Sequence, residues 1–229
     1  MQIQGLQKLT LLDFPGHTAC TVFCAGCNFR CPFCHNVPLV TEIDPSEAIG
    51  EEAFFTFLEK RRGTLDGVCI TGGEPLLYSD IDEFIRKIKE KGFLVKLDTN
   101  GSFPDRLSAL LEANLLDYVA MDIKNCPEKY DVTAGCAVDM AAIRKSVTLL
   151  MEGKTEYEFR TTVAAPLHTE ADIEKIAEWI RGAKRYFLQN FVDSGNLIGE
   201  GLSPVGEESM IRMRSRAQHL VPNVALRGI

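Results

Sequence analysis

The chain has 229 residues, 45% of them hydrophobic and 25% charged, with 18 glycines and 10 prolines. That composition excludes collagen-like and disordered classes, and the length suits a single domain with a substantial core. The net charge of −7 argues against a sequence-independent grip on nucleic acid or an anionic membrane.

Along the chain, short β-rich runs alternate with amphipathic helical patterns. Residues 17–23 read as a strand leading into a cysteine-rich loop. Asp44-Pro45-Ser46-Glu47 then carries a cap, a first-turn proline and a glutamate, and predicts a helix bearing Ile49, Ala53, Phe54 and Phe57. A buried-type strand follows at 67–71, and Ile81, Phe84, Ile85 and Ile88 repeat with helical period. Residues 93–97 form the third strand, and Pro104 opens a helix with Leu107, Leu110 and Leu111. Next come a strand at 118–123 and a helix with Ile143, Val147 and Leu150. The fifth strand, 157–163, precedes a helix capped by Thr169 and Asp172 and carrying Ile173, Ile176 and Ile180. A sixth strand spans 185–189, and a helix around 207–220 and an apolar run at 221–226 close the sequence.

Six strand–helix alternations imply parallel strands with right-handed crossovers, and six are too few for the usual eight-stranded barrel. The expectation is an α/β fold, a partial barrel or open curved sheet, with ligands beyond the carboxyl ends of the strands. Basic runs at 86–91 and 212–216 are interleaved with apolar residues, as on solvated helix faces. Residues 1–22 lack signal-peptide character, and no stretch approaches the roughly 18 apolar residues of a membrane span. A cytoplasmic protein with neither membrane nor nucleic-acid partners is expected.

Of eight cysteines, Cys24, Cys27, Cys31 and Cys34 fall within eleven residues, whereas Cys20, Cys69, Cys126 and Cys136 stand apart. In a chain without an export signal, such a cluster points to metal or redox chemistry. Cys27-x3-Cys31-x2-Cys34 offers three thiolates in one loop, which would leave one iron of a [4Fe–4S] cubane open. A four-cysteine cluster including Cys24, a redox dithiol and a zinc site are the alternatives. Zinc normally needs two knuckles a dozen or more residues apart, and only three residues separate the pairs here. Cys24 is expected to be a buried thiol.

Other polar residues gather where strands end. Gly72-Gly73-Glu74-Pro75 permits close backbone approach and adds a carboxylate for a cationic group. Asp98-Thr99-Asn100-Gly101 reads alternatively as plain turn chemistry, and Asp122 and Lys124 flank Ile123 on one face as a pair. Arg160, inside an apolar strand, must pair or face a polar cavity. Glu74, Asp98 and Asp122 set against Lys124 and Arg160 describe a mixed-charge pocket for a zwitterion. Among the histidines, only His35 has a claim on the site; His17, His168 and His219 are scattered.

The cysteine spacing together with Gly72-Gly73-Glu74-Pro75 resembles the radical S-adenosylmethionine (SAM) superfamily. Asp13-Phe14-Pro15-Gly16, Gly26-Cys27-Asn28-Phe29-Arg30-Cys31-Pro32, His35-Asn36, residues 97–101 and residues 121–124 extend the likeness to activating enzymes of glycyl radical enzymes. The nearest resemblance is to activators of anaerobic (class III) ribonucleoside-triphosphate reductase, with pyruvate formate-lyase activating enzymes as near relatives.

This resemblance implies a partial (β/α)6 barrel in one domain over residues 1–229. Within it would lie an N-terminal extension at 1–16, a cluster loop at 24–36 and a C-terminal segment at 190–229. It implies a [4Fe–4S] cluster on Cys27, Cys31 and Cys34 whose fourth iron takes SAM. Gly72, Gly73 and Glu74 would meet the methionine amino group, and Phe33, Cys34 and His35 would lie near the adenine. Asp122, Ile123 and Lys124 would contact the methionine portion, Lys124 its carboxylate, with Asn100 and Arg160 completing the pocket. Asp98, Thr99 and Asp122 match a monovalent-cation site. An electron from flavodoxin or ferredoxin would cleave SAM, and the resulting 5′-deoxyadenosyl radical would take hydrogen from a glycine of the partner enzyme. The single later cysteines imply one cluster only. An adenosyl-side histidine of the lyase activators has no evident counterpart: Glu174 or Lys175 falls nearest, with His168 upstream. A radical enzyme acting on a small molecule and a non-catalytic iron–sulfur electron carrier are the competing readings.

Overall fold

The computed structural model describes residues 1–229. Its sheet has the order β1-β2-β3-β4-β5-β6-β7-β9, with β8 attached to β6. The parallel strands are β2 (Ala19–Cys24), β3 (Gly67–Gly72), β4 (Leu94–Thr99), β5 (Tyr118–Asp122), β6 (Glu156–Ala165), β7 (Tyr186–Asn190) and β9 (Val224–Arg227). β1 (Ile3–Thr10) pairs antiparallel with β2, and the two-residue β8 (Ser203–Pro204) pairs antiparallel with β6. The six expected strands are all present in one curved sheet of the α/β type. The edge strands β1 and β9 are not paired with each other, so the barrel is partial.

Strands buried on both faces are near-continuous apolar runs, because helices cover the outside and side chains fill the inside. Alternation then sorts them. Val95 and Leu97 of β4 are fully buried in the main apolar core, whereas Lys96 and Asp98 face the barrel interior. The helices are α1 (Val37–Val40), α2 (Glu51–Glu59), α3 (Ile81–Glu90), α4 (Pro104–Glu112), α5 (Tyr130–Ala134), α6 (Met140–Glu152), α7 (Glu170–Trp179) and α8 (Glu207–Gln218). In α3, Ile81, Phe84, Ile85 and Ile88 are all buried, and Phe84 stacks on Phe54 of α2 with centroids 5.4 Å apart. At about 2 kcal/mol per large apolar side chain, this stripe is what holds α3 to the sheet.

The structure corrects several expectations. The first parallel strand, β2, starts at Ala19 rather than at residue 17, because Thr18 is tied instead to Asp66 through its backbone N–H and hydroxyl, both at 2.7 Å. Residues 1–16 hold β1, whose broken alternation hid it. Asp44 caps only a single 3-10 turn, Pro45–Glu47, since Ala48 is extended. Ile49 then bridges to Ile3 rather than entering a helix, and α2 begins only at Glu51 after the Gly50 cap. Ala53 consequently lies exposed, and Leu58 takes the buried place. Finally, the terminal apolar run contains a seventh parallel strand, β9, hydrogen-bonded along β7.

At the amino end of the barrel, Phe14, Ala19 and Tyr118 form a small apolar cluster of their own.

Candidate active site

One cavity of about 240 Å³ opens at the carboxyl ends of the strands, and all five segments anticipated there contribute to it. Cys27, Cys31 and Cys34 enter from the loop after β2, and Gly72 and Gly73 from the end of β3. Asp98, Thr99 and Asn100 follow β4, Asp122 and Lys124 follow β5, and Arg160 projects from β6.

The cysteine loop is pinned from several sides. Gly73 N donates to Cys24 O at 2.9 Å, and Glu74 N to Gly26 O at 2.8 Å. A Cβ on Gly73 would stand 1.8 Å from Gly26 O, and one on Gly72, at φ +110°, 2.4 Å from Cys24 N. The glycines thus admit first the backbone of the cysteine loop itself. On the far side, Arg30 N donates to Ala134 O at 2.8 Å and Gly199 N to Pro32 O at 2.9 Å.

All three loop thiols face the cavity, and none is in a disulfide. Three free cysteines of one loop line the cavity and Cys24 does not, a donor set that fits a cluster keeping one iron open. Burial raises the Cys27 thiol and pushes Cys31 up to about 12, with Lys124 partly opposing it. Loading iron must therefore expel protons from the loop. Cys24 ends β2 pointing outward, fully buried, its sulfur 3.5 Å from Met1 Sδ.

Glu74 is 0% exposed and does not reach the cavity. Its carboxylate accepts from Thr99 Oγ1 (2.8 Å), Asn100 N (2.6 Å) and Leu76 N (3.0 Å). Burial still pushes it up to about 7. Glu74 therefore knits the ends of β3 and β4 together, and what that turn presents to the cavity is glycine backbone. Ile123 is likewise buried and faces away. Asn100 Nδ2 bonds Asn28 Oδ1 at 2.9 Å, close to Cys27.

The charged floor is built around Arg160, whose Nε meets Asp122 Oδ1 at 2.9 Å and Nη1 meets Asp98 Oδ2 at 3.1 Å. Lys124 Nζ reaches Asp122 Oδ2 at 3.0 Å and lies 6.0 Å above the Phe33 ring. Burial would raise Asp122, but Arg160 and then Lys124 hold it at about 2. Against burial, Asp122 and Cys31 keep Lys124 protonated beyond the usual lysine range. The site is thus a fully ionised lattice under the thiols. His35 is exposed, stacks on Phe191 and meets Val192 O at 2.8 Å.

Several residues take parts in the site that the sequence had not assigned to them. Asn36 donates to Gly72 O at 2.8 Å, and Thr71, Thr162 and Gln189 line the cavity. Lys96, enclosed by valine and leucine in sequence, lies against Asp98; a charge inside an apolar strand was the available signal, the same one that marked Arg160. Glu174 and Lys175 turn away to Arg216 and Glu128. His168 instead sits buried beneath the site, 2.8 Å from Lys124 O and 6.3 Å from the Phe33 ring.

The model of the radical SAM superfamily matches residues 21–180, which hold the thiol loop and β3 to β6. The chain belongs to the radical SAM superfamily. Along 99% of its length it is 33% identical to a protein of Methanocaldococcus jannaschii named as a glycyl-radical enzyme activating enzyme, covering 96% of that protein. The pyruvate formate-lyase-activating enzyme of Listeria monocytogenes is 29% identical over 141 residues, 56% of each chain. In fold it resembles Streptococcus suis SuiB solved with S-adenosylmethionine, at TM-score 0.72 and 15% identity, covering 90% of this chain and 49% of that one. This radical SAM chain is therefore an enzyme of the activating type. Its superfamily uses a [4Fe–4S] cluster and SAM. No helix is long and apolar enough to cross a membrane.

Proposed function

We propose that this radical SAM activase installs a glycyl radical on anaerobic ribonucleoside-triphosphate reductase, drawing electrons from flavodoxin or ferredoxin. The reading is carried by one juxtaposition: three free thiols and an ionised Asp–Arg–Asp–Lys floor share a single cavity. Cys27, Cys31 and Cys34 would hold the cluster, leaving one iron for SAM. When bound, cluster and cofactor supply one-electron cleavage that yields a radical able to take hydrogen from a glycine Cα.

The chain's own residues bind, orient and shield. Lys124 would offer the methionine carboxylate a desolvated ammonium, and the backbone of Gly72 and Gly73 would meet its amino group. Phe33 and His35, which line the cavity, would lie beside the adenine, and Asn100 ties the thiol loop through Asn28. The unpaired edges β1 and β9 leave the barrel open on one side, by which a partner's glycine loop could reach the cavity.

The test is anaerobic reconstitution followed by electron paramagnetic resonance with SAM and each candidate partner. A glycyl doublet on the reductase supports the proposal; a doublet only on pyruvate formate-lyase reassigns the partner. A second reading, a radical enzyme acting on a small molecule, draws on the 32% identity over 143 residues to the 7-carboxy-7-deazaguanine synthase of Methanopyrus kandleri, 54% of each chain. SAM cleavage coupled to a small substrate, with no doublet on any protein, would establish that reading instead.

A further inference from the structure

Asp98, Thr99 and Asp122 are the donors that the family resemblance assigns to a monovalent cation, and they do not fit one here. An alkali cation needs several oxygen donors at once. Asp98 Oδ1 is taken by Lys96 Nζ, and Asp98 Oδ2 by Arg160 at 3.1 Å and Thr71 Oγ1 at 3.1 Å. Both oxygens of Asp122 are held by Arg160 and Lys124. Thr99 Oγ1 donates to Glu74 and accepts from Gly101 N.

We propose that Lys96 is a built-in cation: its ammonium takes the Asp98 oxygen that a dissolved potassium or sodium ion would need, so this site takes none from solution. Lys96 is 2% exposed and projects inward from the middle of β4, two residues before Asp98 on the same face. Besides Asp98, its ammonium has Cys69 Sγ at 3.7 Å. A buried ammonium is costly unless a carboxylate compensates it, and no other carboxylate bonds Lys96. The lattice then holds three cations, Lys96, Lys124 and Arg160, against two carboxylates. A further dissolved cation would add repulsion at the point of least solvent. Against burial, Arg160 and then Lys96 keep Asp98 below the usual carboxylate range. Lys96 is thus a positioning residue: it holds Asp98, and through Asp98 the Arg160 guanidinium that reaches Asp122.

The test uses the reconstituted holoenzyme in potassium chloride or choline chloride at equal ionic strength, reading melting temperature and SAM affinity. Only the affinity arm rests on the SAM-site reading above; the melting arm requires neither cofactor turnover nor a partner. In the wild type both readouts are the same in the two salts. In Lys96→Met, SAM affinity falls in choline and recovers by about tenfold as potassium is added, a size typical of coupled sites. Lys96→Arg, which keeps the charge, stays indifferent to potassium. A saturable potassium response in the wild type would overturn the proposal whether or not the variants fold. So would a Lys96→Met protein equally impaired in both salts, because lost packing alone is not restored by an ion.

Discussion

Gly73 and Gly26 face each other so closely that a single Cβ on Gly73 would stand 1.8 Å from the Gly26 carbonyl oxygen. This contact sets the cysteine loop on the end of β3, one residue before the first cluster thiol. Gly73→Ala must push the loop away, because the obstacle is backbone. The expected outcome is a folded protein that retains little iron after reconstitution, read by iron content and visible absorbance. Full iron occupancy in Gly73→Ala would mean that the loop shifts freely.

Cys24 lies on the opposite face of β2 from the cavity, buried beside Met1. Cys24→Ala should therefore reconstitute a cluster at wild-type iron content. Alanine at Cys27, Cys31 or Cys34 should each abolish it. Equal loss from all four substitutions would support a closed four-thiolate site.

Arg160 is the shared donor between Asp98 and Asp122. Arg160→Met leaves Asp122 Oδ1 with no donor and two half-buried carboxylates facing each other, each still paired with a lysine. Losing the charge-assisted hydrogen bonds of the guanidinium costs about 1.5–3 kcal/mol, visible as an earlier urea midpoint at neutral pH. Arg160→Lys should recover only part of it, since a point charge cannot bridge both carboxylates as the guanidinium does.

Asp172 closes the capping box of α7 and pairs with Lys129 at 2.7 Å. Burial opposes its ionisation, yet Lys129 and Thr169 hold it below its ordinary value. The folded chain therefore binds this proton more weakly than the unfolded one, and unfolding takes a proton up in acid. Its stabilisation is complete above the ordinary aspartate range and lost as pH falls below about 4. Asp172→Asn should cost about 1–2 kcal/mol in neutral denaturant melts. That difference should shrink at acid pH; a gap constant with pH would show that the charge contributes nothing.

Strand and helix order along β2 to β7 was readable because the pattern is local: apolar runs and 3.6-residue stripes report which side of an element meets a core. The thiol spacing and the glycine-rich turn are equally local, and they carry family membership. Tertiary structure decided which way polar groups turn. Glu74 reads as a ligand to a cationic group, yet its side chain serves the β3–β4 junction, because Thr99 and Asn100, 25 and 26 residues further along the chain, both donate to it. β1 and β9 escaped notice because an edge strand needs a neighbour to define its pairing, and its burial pattern alone is ambiguous. Lys96 is the sharpest case. Sequence marks it as a charge in an apolar strand, two residues before Asp98 on the same face, and only the closing of the sheet around one interior brings Cys69 of β3 to its ammonium and Arg160 of β6 to the Asp98 carboxylate. The pair itself is local, but the balance of charge around it is set by partners brought from afar, so it belongs to the fold and not to the run of residues that contains it.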